Sequence, residues 1–454
     1  MDEKLENILE LVEEYISDKR KDNTWQRGEW VKYSGPNFDA SEYKSAIKSL
    51  LSEWLILGKI ARDFEGQFPK YLGKKHGVLT NSGSSANLLM VSALSSRKIN
   101  EQHRIPKGSK FITPVVCFPT TLNPLIQNGY EPVFVDVELP SLNLNLDEVE
   151  NILKNDTNKE IKGIIFAHVL GNPPNMDRLM SLVEEYDLVF LEDACDALGS
   201  YYDGKKLGSF GHLSTCSFFP AHHMTMGEGG FVATDKYQYR RALASIRDWG
   251  RACYCNEKKP GDVTCATACG NRFNTWFPDV DIVYDHRYVF DDIGYNLKPL
   301  DLQAAMGLEQ LKKLPQMDEA RRQNFKRLRK VFERYEEYFI LPDATENSDP
   351  CWFGFLLTVK DSAPFKKQDI QNWLETNKIQ TRSYFTGNAL YHPAYNHLAA
   401  AHGNLQERFP VAHKATIDTF FLGTFIGMTE EKINYIAEVV DEYFNNIRFK
   451  RINI

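Results

Sequence analysis

Hydrophobic residues occur at two different spacings along this chain, and the two spacings alternate through its middle. Between about residues 75 and 250, short apolar runs are separated by segments with helical periodicity. The runs with strand character are Lys110–Phe118, Glu131–Val137, Gly163–Leu170 and Leu188–Leu191. Strands that alternate with helices in this way are typical of a mostly parallel sheet covered by helices. The centre of the chain is therefore predicted to form an α/β domain.

The two ends of the chain have different patterns. Apolar side chains recur at helical spacing over residues 3–17, which predicts an amphipathic helix. A long charged helix is predicted over about residues 301–336, and the remainder, including Glu430–Asn445, mixes short strands and helices. We therefore predict three parts, which are an N-terminal helical extension (1–35), a large α/β domain (36–310) and a smaller C-terminal α+β domain (311–454).

Residues 251–290 interrupt the α/β pattern inside the large domain. They are rich in glycine, proline, cysteine and aromatic residues, and they are too many for an ordinary connection between two elements. We predict an irregular, cysteine-rich insertion here.

Composition and charge exclude some classes of function. The formal net charge of −7 over 454 residues gives no reason to expect nucleic-acid binding. The acidic start is unlike a signal peptide, and no run of 18 apolar residues suggests a membrane span. We therefore expect a cytoplasmic location. In that compartment the eight cysteines are expected to be thiols or metal ligands, not disulfides.

A phosphate-binding loop is predicted between a strand and an apolar helix. Residues 80–87 have the sequence Thr-Asn-Ser-Gly-Ser-Ser-Ala-Asn. Free backbone N–H groups and serine hydroxyls at the N-terminus of a helix bind phosphate well, so Gly83, Ser84 and Ser85 are candidate ligands. The alternative is an ordinary turn, because Ser-Gly-Ser is common in turns.

Three further positions could complete a cofactor pocket. Asp193 ends a buried strand, where a carboxylate can pair with a pyridinium nitrogen, although it could instead cap a helix. Phe118 follows the strand predicted at Lys110 and could stack on a cofactor ring, or it could pack in the core. Ser217 could add a hydroxyl to the phosphate site.

The segment from Ser217 to Gly230 carries the most informative residue. It is typical of a strand, a turn and a glycine-rich entry into another strand. It resembles the DegT/DnrJ/EryC1/StrS sugar-aminotransferase family of pyridoxal-phosphate (PLP) proteins, in which Ser-Phe-x-x-x-Lys precedes Gly-Glu-Gly-Gly. In that family the lysine forms a Schiff base with the cofactor aldehyde. Here the lysine position holds His222, and an imidazole cannot form that stable imine.

The resemblance extends from about residue 25 to 445 and implies a fold-type-I PLP-transferase. It implies that Asn296, in Gly-Tyr-Asn-Leu, reaches the cofactor phosphate of the neighbouring subunit of a homodimer. Without a lysine, the pocket is expected to hold pyridoxamine 5′-phosphate (PMP) non-covalently. Histidine side chains can take up and release a proton near neutral pH, so we expect His222 to act as the base in C3 dehydration of a 4-keto sugar, with His223 pointing elsewhere. An inactive enzyme or a surface histidine is the alternative.

Five cysteines suggest a metal centre, whereas Cys117, Cys216 and Cys351 are isolated and are expected to be buried. The five are Cys195, Cys253, Cys255, Cys265 and Cys269. Four thiolates from this set suit a [2Fe–2S] cluster or a structural zinc. Cys195 lies two residues beyond Asp193, so the centre is expected near the cofactor.

The cysteine spacing resembles the CDP-4-keto-6-deoxyglucose 3-dehydratases, a PMP- and iron–sulfur-dependent group with Cys-x57-Cys-x-Cys-x7-Cys. Cys195 and Cys253 are separated by 57 residues, and Cys253 and Cys255 by one. The last interval differs from the seven residues of the group, because nine residues separate Cys255 from Cys265 and thirteen separate Cys255 from Cys269. Cys269 is favoured because Gly-Asn-Arg-Phe follows it, as in the group, and Cys265 remains the alternative.

This second resemblance implies the substrate and the partners. We expect a nucleotide-linked 4-keto-6-deoxyhexose, with CDP as the default and TDP or GDP as variants. The group draws electrons from a flavin iron–sulfur reductase that uses NADH or NADPH, and it serves 3,6-dideoxyhexose and lipopolysaccharide O-antigen biosynthesis. The alternatives are a cluster-independent PMP dehydratase and a non-catalytic binding protein of the same fold.

Overall fold

The computed structural model describes residues 3–21, 24–253, 272–275, 277 and 279–452. The strands in chain order are β1 (His76–Thr80), β2 (Lys110–Pro114), β3 (Glu131–Val135), β4 (Ile161–Ala167), β5 (Val189–Asp193), β6 (Tyr201–Tyr202), β7 (Lys205–Lys206), β8 (Leu213–Ser217), β9 (Gly230–Thr234), β10 (Phe273–Thr275), β11 (Val283–Asp285), β12 (Phe339–Ile340), β13 (Ser348–Asp349), β14 (Gly354–Val359), β15 (Arg382–Ser383) and β16 (Thr419–Gly423).

The α-helices follow the same order along the described residues. They are α1 (Glu3–Lys21), α2 (Ala40–Leu51), α3 (Lys59–Leu72), α4 (Gly83–Ser92), α5 (Pro119–Gln127), α6 (Leu146–Asn155), α7 (Met176–Glu185), α8 (Tyr237–Arg247), α9 (Asp301–Phe332), α10 (Lys367–Thr376), α11 (Asn396–Ala399), α12 (Leu405–Arg408), α13 (Pro410–Asp418) and α14 (Glu430–Ile452).

A seven-stranded sheet in the order β1-β9-β8-β5-β4-β2-β3 forms the centre of the molecule. Strand β9 runs antiparallel to both of its neighbours, and the remaining pairs are parallel. Phe64 of α3 and Leu179 of α7 lie in the core on one face, and Leu89 of α4 and Leu243 of α8 lie in the core on the other. A mostly parallel sheet buried on both faces confirms the predicted fold class.

The strand ends differ from the predicted runs in a way that matters for the site. The run predicted from Lys110 to Phe118 pairs as a strand only to Pro114, and the rest of it is a loop. The run predicted to end at Leu191 continues to Asp193, whose backbone pairs with Thr215. The acidic side chain therefore lies at the carboxyl end of a central strand.

A second sheet, in the order β12-β14-β16-β15, belongs to the C-terminal part of the chain. Helices α10 and α14 pack against it around a core that includes Phe355 and Phe444. The long helix α9 contributes to this core through Phe325 and to the central core through Leu314. The boundary predicted at 310/311 falls within α9, so the division of the chain there remains a prediction.

The N-terminal extension and the insertion are described in part. Helix α1 extends the predicted helix to Lys21 and lies against α2, with Leu9 buried and an ion pair between Glu13 and Lys44. Within the insertion, β10 and β11 form an antiparallel pair. Among the residues that the structure describes, none of the helices combines the length and the apolar character that crossing a bilayer requires.

Candidate active site

A cavity of about 440 Å³ opens at the carboxyl ends of β4 and β5. Asp193 and Ala167 line it from the central sheet, and Phe353, Arg382 and Phe421 line it from the C-terminal part of the chain. Ligands of open α/β sheets bind at this edge, where the strand ends and the following loops converge. The volume is in the range of small-molecule sites.

The N-terminus of α4 forms the predicted phosphate loop. Ser82 is the N-cap of this helix, and its hydroxyl accepts the Ser85 amide N–H at 3.1 Å. Ser85 is therefore engaged in the helix cap, while Gly83 and Ser84 line the cavity. The Ser84 hydroxyl donates to Thr120 Oγ1 at 3.0 Å. The first amides of a helix have no intrahelical acceptor, so this end of α4 can receive a phosphate.

Gly83 is required where the phosphate loop meets the end of β8. A Cβ atom at this position would lie 2.4 Å from Ser217 Cβ and 2.6 Å from Ser217 Oγ. The absence of a side chain therefore brings the Ser217 hydroxyl beside the N-terminus of α4. Ser217 also lines the cavity, as the sequence predicts.

Asp193 is buried and held by three hydrogen bonds. Its Oδ2 accepts from Asn87 Nδ2 at 2.8 Å and from Thr121 Oγ1 at 2.7 Å, and its Oδ1 accepts the Cys195 amide at 3.1 Å. Thr215 Oγ1 donates to Asn87 Oδ1 at 2.6 Å and so fixes the direction of the Asn87 amide. An ionised carboxylate oxygen has two lone pairs, so Oδ1 can also accept from a protonated pyridine nitrogen, which fits a PLP-type ring.

His222 lies in a turn beyond β8, with its side chain 16% exposed on the cavity wall. Its amide N–H donates to the Phe219 carbonyl at 3.0 Å, which closes the turn. The ring Nδ1 lies 3.1 Å from Asp196 Oδ1, close enough for an ion pair but not aligned as a hydrogen bond. The Phe353 ring is centred 5.4 Å from the imidazole. His222, predicted from the sequence, lies on the cavity together with Asp196 and Phe353, which the sequence analysis did not identify.

His223 points away from the cavity, into the protein. It is 2% exposed, and its Nε2 lies 2.7 Å from the Cys351 carbonyl oxygen, which only an Nε2–H can bond. Burial holds the pKa of His223 well below its ordinary value, so the ring is neutral. Cys351 is buried, as are Cys117 and Cys216.

Phe118 is half-exposed at the cavity rim and is not part of the core. It precedes Pro119 of α5, and its ring meets that of Phe385 edge-on with centroids 6.0 Å apart. On the cavity lining, the Arg382 guanidinium lies 4.2 Å from the centre of the Tyr33 ring. Phe385, Arg382 and Tyr33 were not predicted from the sequence, because they lie far along the chain from the other residues of the cavity.

Asn296 does not line the cavity of this chain. It is exposed and pairs through its backbone with Asp248. Its neighbour Leu297 accepts the Asn81 amide N–H through its carbonyl at 2.9 Å, so the segment lies next to the phosphate loop. Its predicted contact with a neighbouring subunit stays a prediction.

Two of the four predicted cluster ligands, Cys195 and Cys253, are described, and both are half-buried. Cys195 lines the cavity, where burial and the Asp193 carboxylate raise the pKa of its thiol well above the ordinary value. Cys255, Cys269 and the alternative Cys265 lie outside the described residues. Within the described part, no group of three or more metal-binding side chains is assembled.

The fold and the cavity define a fold-type-I PLP-transferase with histidine at the usual lysine position. The chain belongs to the DegT/DnrJ/EryC1/StrS aminotransferase family, whose model matches residues 36–441.

Proteins from three organisms show the range of its relatives. The lipopolysaccharide biosynthesis protein RfbH of Salmonella typhimurium is 38% identical over 97% of this chain and 98% of its own length. The dTDP-4-dehydro-2,6-dideoxy-D-glucose 3-dehydratase of Saccharopolyspora spinosa is also 38% identical, over 96% of this chain and 92% of its own. The structure of E. coli GDP-4-keto-6-deoxy-D-mannose-3-dehydratase with bound hydrated PLP has a TM-score of 0.75, with 28% identity, over 90% of this chain and 99% of that one.

Proposed function

We propose that this protein is a PMP-dependent 3-dehydratase of a nucleotide-linked 4-keto-6-deoxyhexose. The observation that carries the proposal is His222 on the cavity wall, where the family has its lysine, with Asp193, Gly83 and Ser217 around the same cavity. Two relatives that are named as 3-dehydratases support it. The pathway is 3,6-dideoxyhexose and O-antigen biosynthesis, in line with the name of the Salmonella relative.

The residues present fit the cofactor. The N-terminus of α4 with Ser84 and Ser217 would hold the phosphate, Asp193 would pair with the ring nitrogen, and Phe118 would cover the ring. When bound, PMP supplies an amine that condenses with the sugar ketone and a ring that stores electrons. Since His222 forms no covalent bond to the cofactor, the protein must retain PMP through these polar contacts.

His222 would serve as the base that moves the proton. With Asp196 beside Nδ1, the other ring nitrogen would accept a proton from the carbon that carries the cofactor amine. The C3 hydroxyl of the sugar would then leave as water, with the proton that His222 had accepted. A carboxylate beside the ring nitrogen that does not take the proton orients an imidazole and stabilises its protonated form. We therefore assign Asp196, beside Nδ1, as the positioning residue of His222.

The dehydrated sugar needs two electrons and two protons to become the 3-deoxy product. We propose that a [2Fe–2S] cluster held by Cys195, Cys253, Cys255 and Cys269 delivers the electrons singly. A flavin iron–sulfur reductase would draw them from NADH or NADPH. The position of Cys195 on the cavity supports this route. A bound metal would also lower the pKa that burial raises in the Cys195 thiol.

We propose a homodimer that completes the site with the partner's Asn296. Apolar side chains near this residue are exposed, with Ile293 at 97% and Phe290 at 51%. Exposed apolar groups that cluster on a surface mark protein contacts. We propose CDP as the nucleotide.

The deciding experiment is anaerobic purification followed by incubation with PMP and CDP-4-keto-6-deoxyglucose, with the TDP and GDP sugars in parallel. The proposal expects iron–sulfur absorption, C3 dehydration of one nucleotide sugar, and 3-deoxy product only when a reductase is added. A cluster-independent dehydratase would dehydrate the sugar without bound iron. A binding protein of this fold would show neither a cofactor band nor turnover, and would overturn the proposal.

A further inference from the structure

A buried arginine joins the histidine turn to the C-terminal part of the chain. Arg321 lies in α9 and is 3% exposed. One end of its guanidinium donates to the carbonyl oxygens of Trp352 at 3.4 Å and Phe353 at 3.3 Å. The other end donates to the carbonyl oxygens of Ala221 at 3.5 Å and His222 at 3.2 Å.

Among the described residues, the charge of this side chain has no bonded counterion. In the part of the chain that the structure describes, no carboxylate forms an ion pair with Arg321, and its hydrogen bonds go only to neutral backbone groups. Burying a cation without a bonded anion costs free energy, which the nearby Asp318 and Asp196 carboxylates offset in part. The neighbouring Arg322, by contrast, pairs with Asp349 on the surface side of the helix.

The two segments that Arg321 joins both supply side chains to the cavity. His222 contributes the imidazole, and Phe353 contributes the ring that lies 5.4 Å from it. A planar guanidinium offers five N–H donors in a fixed fork, so one side chain can hold two segments in register. The ammonium of lysine has a single nitrogen, so it cannot bond to both segments in the same way.

We propose that Arg321 is a positioning residue, which sets the direction of the His222 imidazole by fixing the turn at Ala221–His222 against the Trp352–Phe353 segment. This inference rests on the proposed function for its kinetic test, and on the structure alone for its chemical test. Arg321 does not itself contact the cavity.

The kinetic test compares the Arg321→Lys and Arg321→Met variants with the wild type, and all three proteins are loaded with PMP. We expect kcat for C3 dehydration to fall about tenfold to a hundredfold, since a small misplacement of a reacting group has effects of that size. KM for the nucleotide sugar and the affinity for PMP should stay within about threefold of the wild-type values, because the residues proposed to bind the sugar and the cofactor are unchanged. Arg322→Met is the matched control, and it should lower thermal stability without changing kcat.

The chemical test needs no turnover. Diethylpyrocarbonate modifies exposed imidazoles, and mass spectrometry of the peptide carrying His222 gives the rate at that residue. We expect both Arg321 variants to change this rate several-fold, and Arg322→Met to leave it unchanged. If Arg321→Met does not fold, Arg321→Lys and Arg321→Gln carry the same test, because each keeps a donor but cannot join both segments.

Wild-type kcat and wild-type His222 modification in a folded Arg321→Lys variant would overturn the inference. An equal loss of PMP affinity and kcat would also overturn it, because the arginine would then support the whole pocket. If the wild type dehydrates none of the three nucleotide sugars, the proposed function fails. The modification rates would still decide whether Arg321 positions His222.

Discussion

Replacing Asp193 with asparagine removes the charge that the cofactor ring requires while keeping the shape of the side chain. The amide oxygen can accept the hydrogen bonds from Asn87 and Thr121. Its NH2 group then faces the Cys195 amide, so that one 3.1 Å hydrogen bond is lost. The fold should survive, because losing one hydrogen bond to this carboxylate costs about 1.5–3 kcal/mol, less than the stability of about 5–15 kcal/mol that is typical of a folded protein.

The effect on catalysis should be much larger. Asp193 is 3% exposed, so its pairing with a protonated ring is shielded from water. Removing one partner of a buried ion pair costs about 3–5 kcal/mol, which corresponds to roughly two to four orders of magnitude in kcat/KM. Thr121→Val is the matched control. It removes one hydrogen bond to the charged group, worth about 1.5–3 kcal/mol, and should cost roughly ten to a hundredfold.

The assay measures kcat/KM for C3 dehydration and the affinity for PMP, with thermal unfolding as the check on folding. The order of activity should be wild type, then Thr121→Val, then Asp193→Asn. A folded Asp193→Asn variant that turns over at the wild-type rate would refute the charge argument. If Thr121→Val lost as much activity as Asp193→Asn, the position of the carboxylate would matter more than its charge.

Three further changes test other parts of the site. His222→Lys should attach PLP covalently, so that borohydride reduction fixes it to the protein, and should abolish dehydration; dehydration at the wild-type rate would contradict the assigned base. Arg382→Met should raise KM for the nucleotide sugar about tenfold or more with kcat little changed, because a cation on the cavity lining can hold a diphosphate; an unchanged KM would remove that role. Cys253→Ser should bind little iron and form little 3-deoxy product with the reductase, while it still binds PMP. Separate serine variants of Cys265 and Cys269 should identify the fourth cluster ligand, because only loss of the true ligand should bleach the visible iron–sulfur absorption. Stoichiometric zinc without iron in the anaerobic wild type would overturn the redox route.

The fold was predictable because its signals are local. Alternation of strand and helix patterns depends on neighbouring residues, and so does the histidine in the turn after β8. The run from Lys110 to Phe118 was predicted too long, since a buried loop has the same apolar composition as a strand. Ser85 was predicted as a phosphate ligand, and its amide N–H donates to the hydroxyl of Ser82, which caps the helix; the role of its own hydroxyl stays a prediction. Which serine becomes the cap depends on the residue at which the helix begins, and a sequence pattern does not fix that position.

The hydrogen-bond partners of the candidate site residues were not predictable for a different reason. Asn87 and Asp193 are 106 positions apart, and Thr215 and Asn87 are 128 apart. Their hydrogen bonds exist only because α4 packs beside β5 and β8 in the folded sheet. Each of these residue types is common in any helix or strand, so nothing in the sequence distinguishes them.

The surroundings of His222 suit an imidazole better than a lysine. A lysine reaches its target through a flexible four-carbon stem, so the backbone beneath it can be placed loosely. An imidazole has two side-chain torsions, so the position of its nitrogen is set largely by the backbone of the turn. Asp196 lies beside Nδ1, and the Arg321 guanidinium holds the His222 carbonyl at 3.2 Å. Proton transfer needs an acceptor close to its hydrogen-bonding distance. In the proposed mechanism, Asp196 would orient the ring and Arg321 would hold the backbone of the turn that carries it.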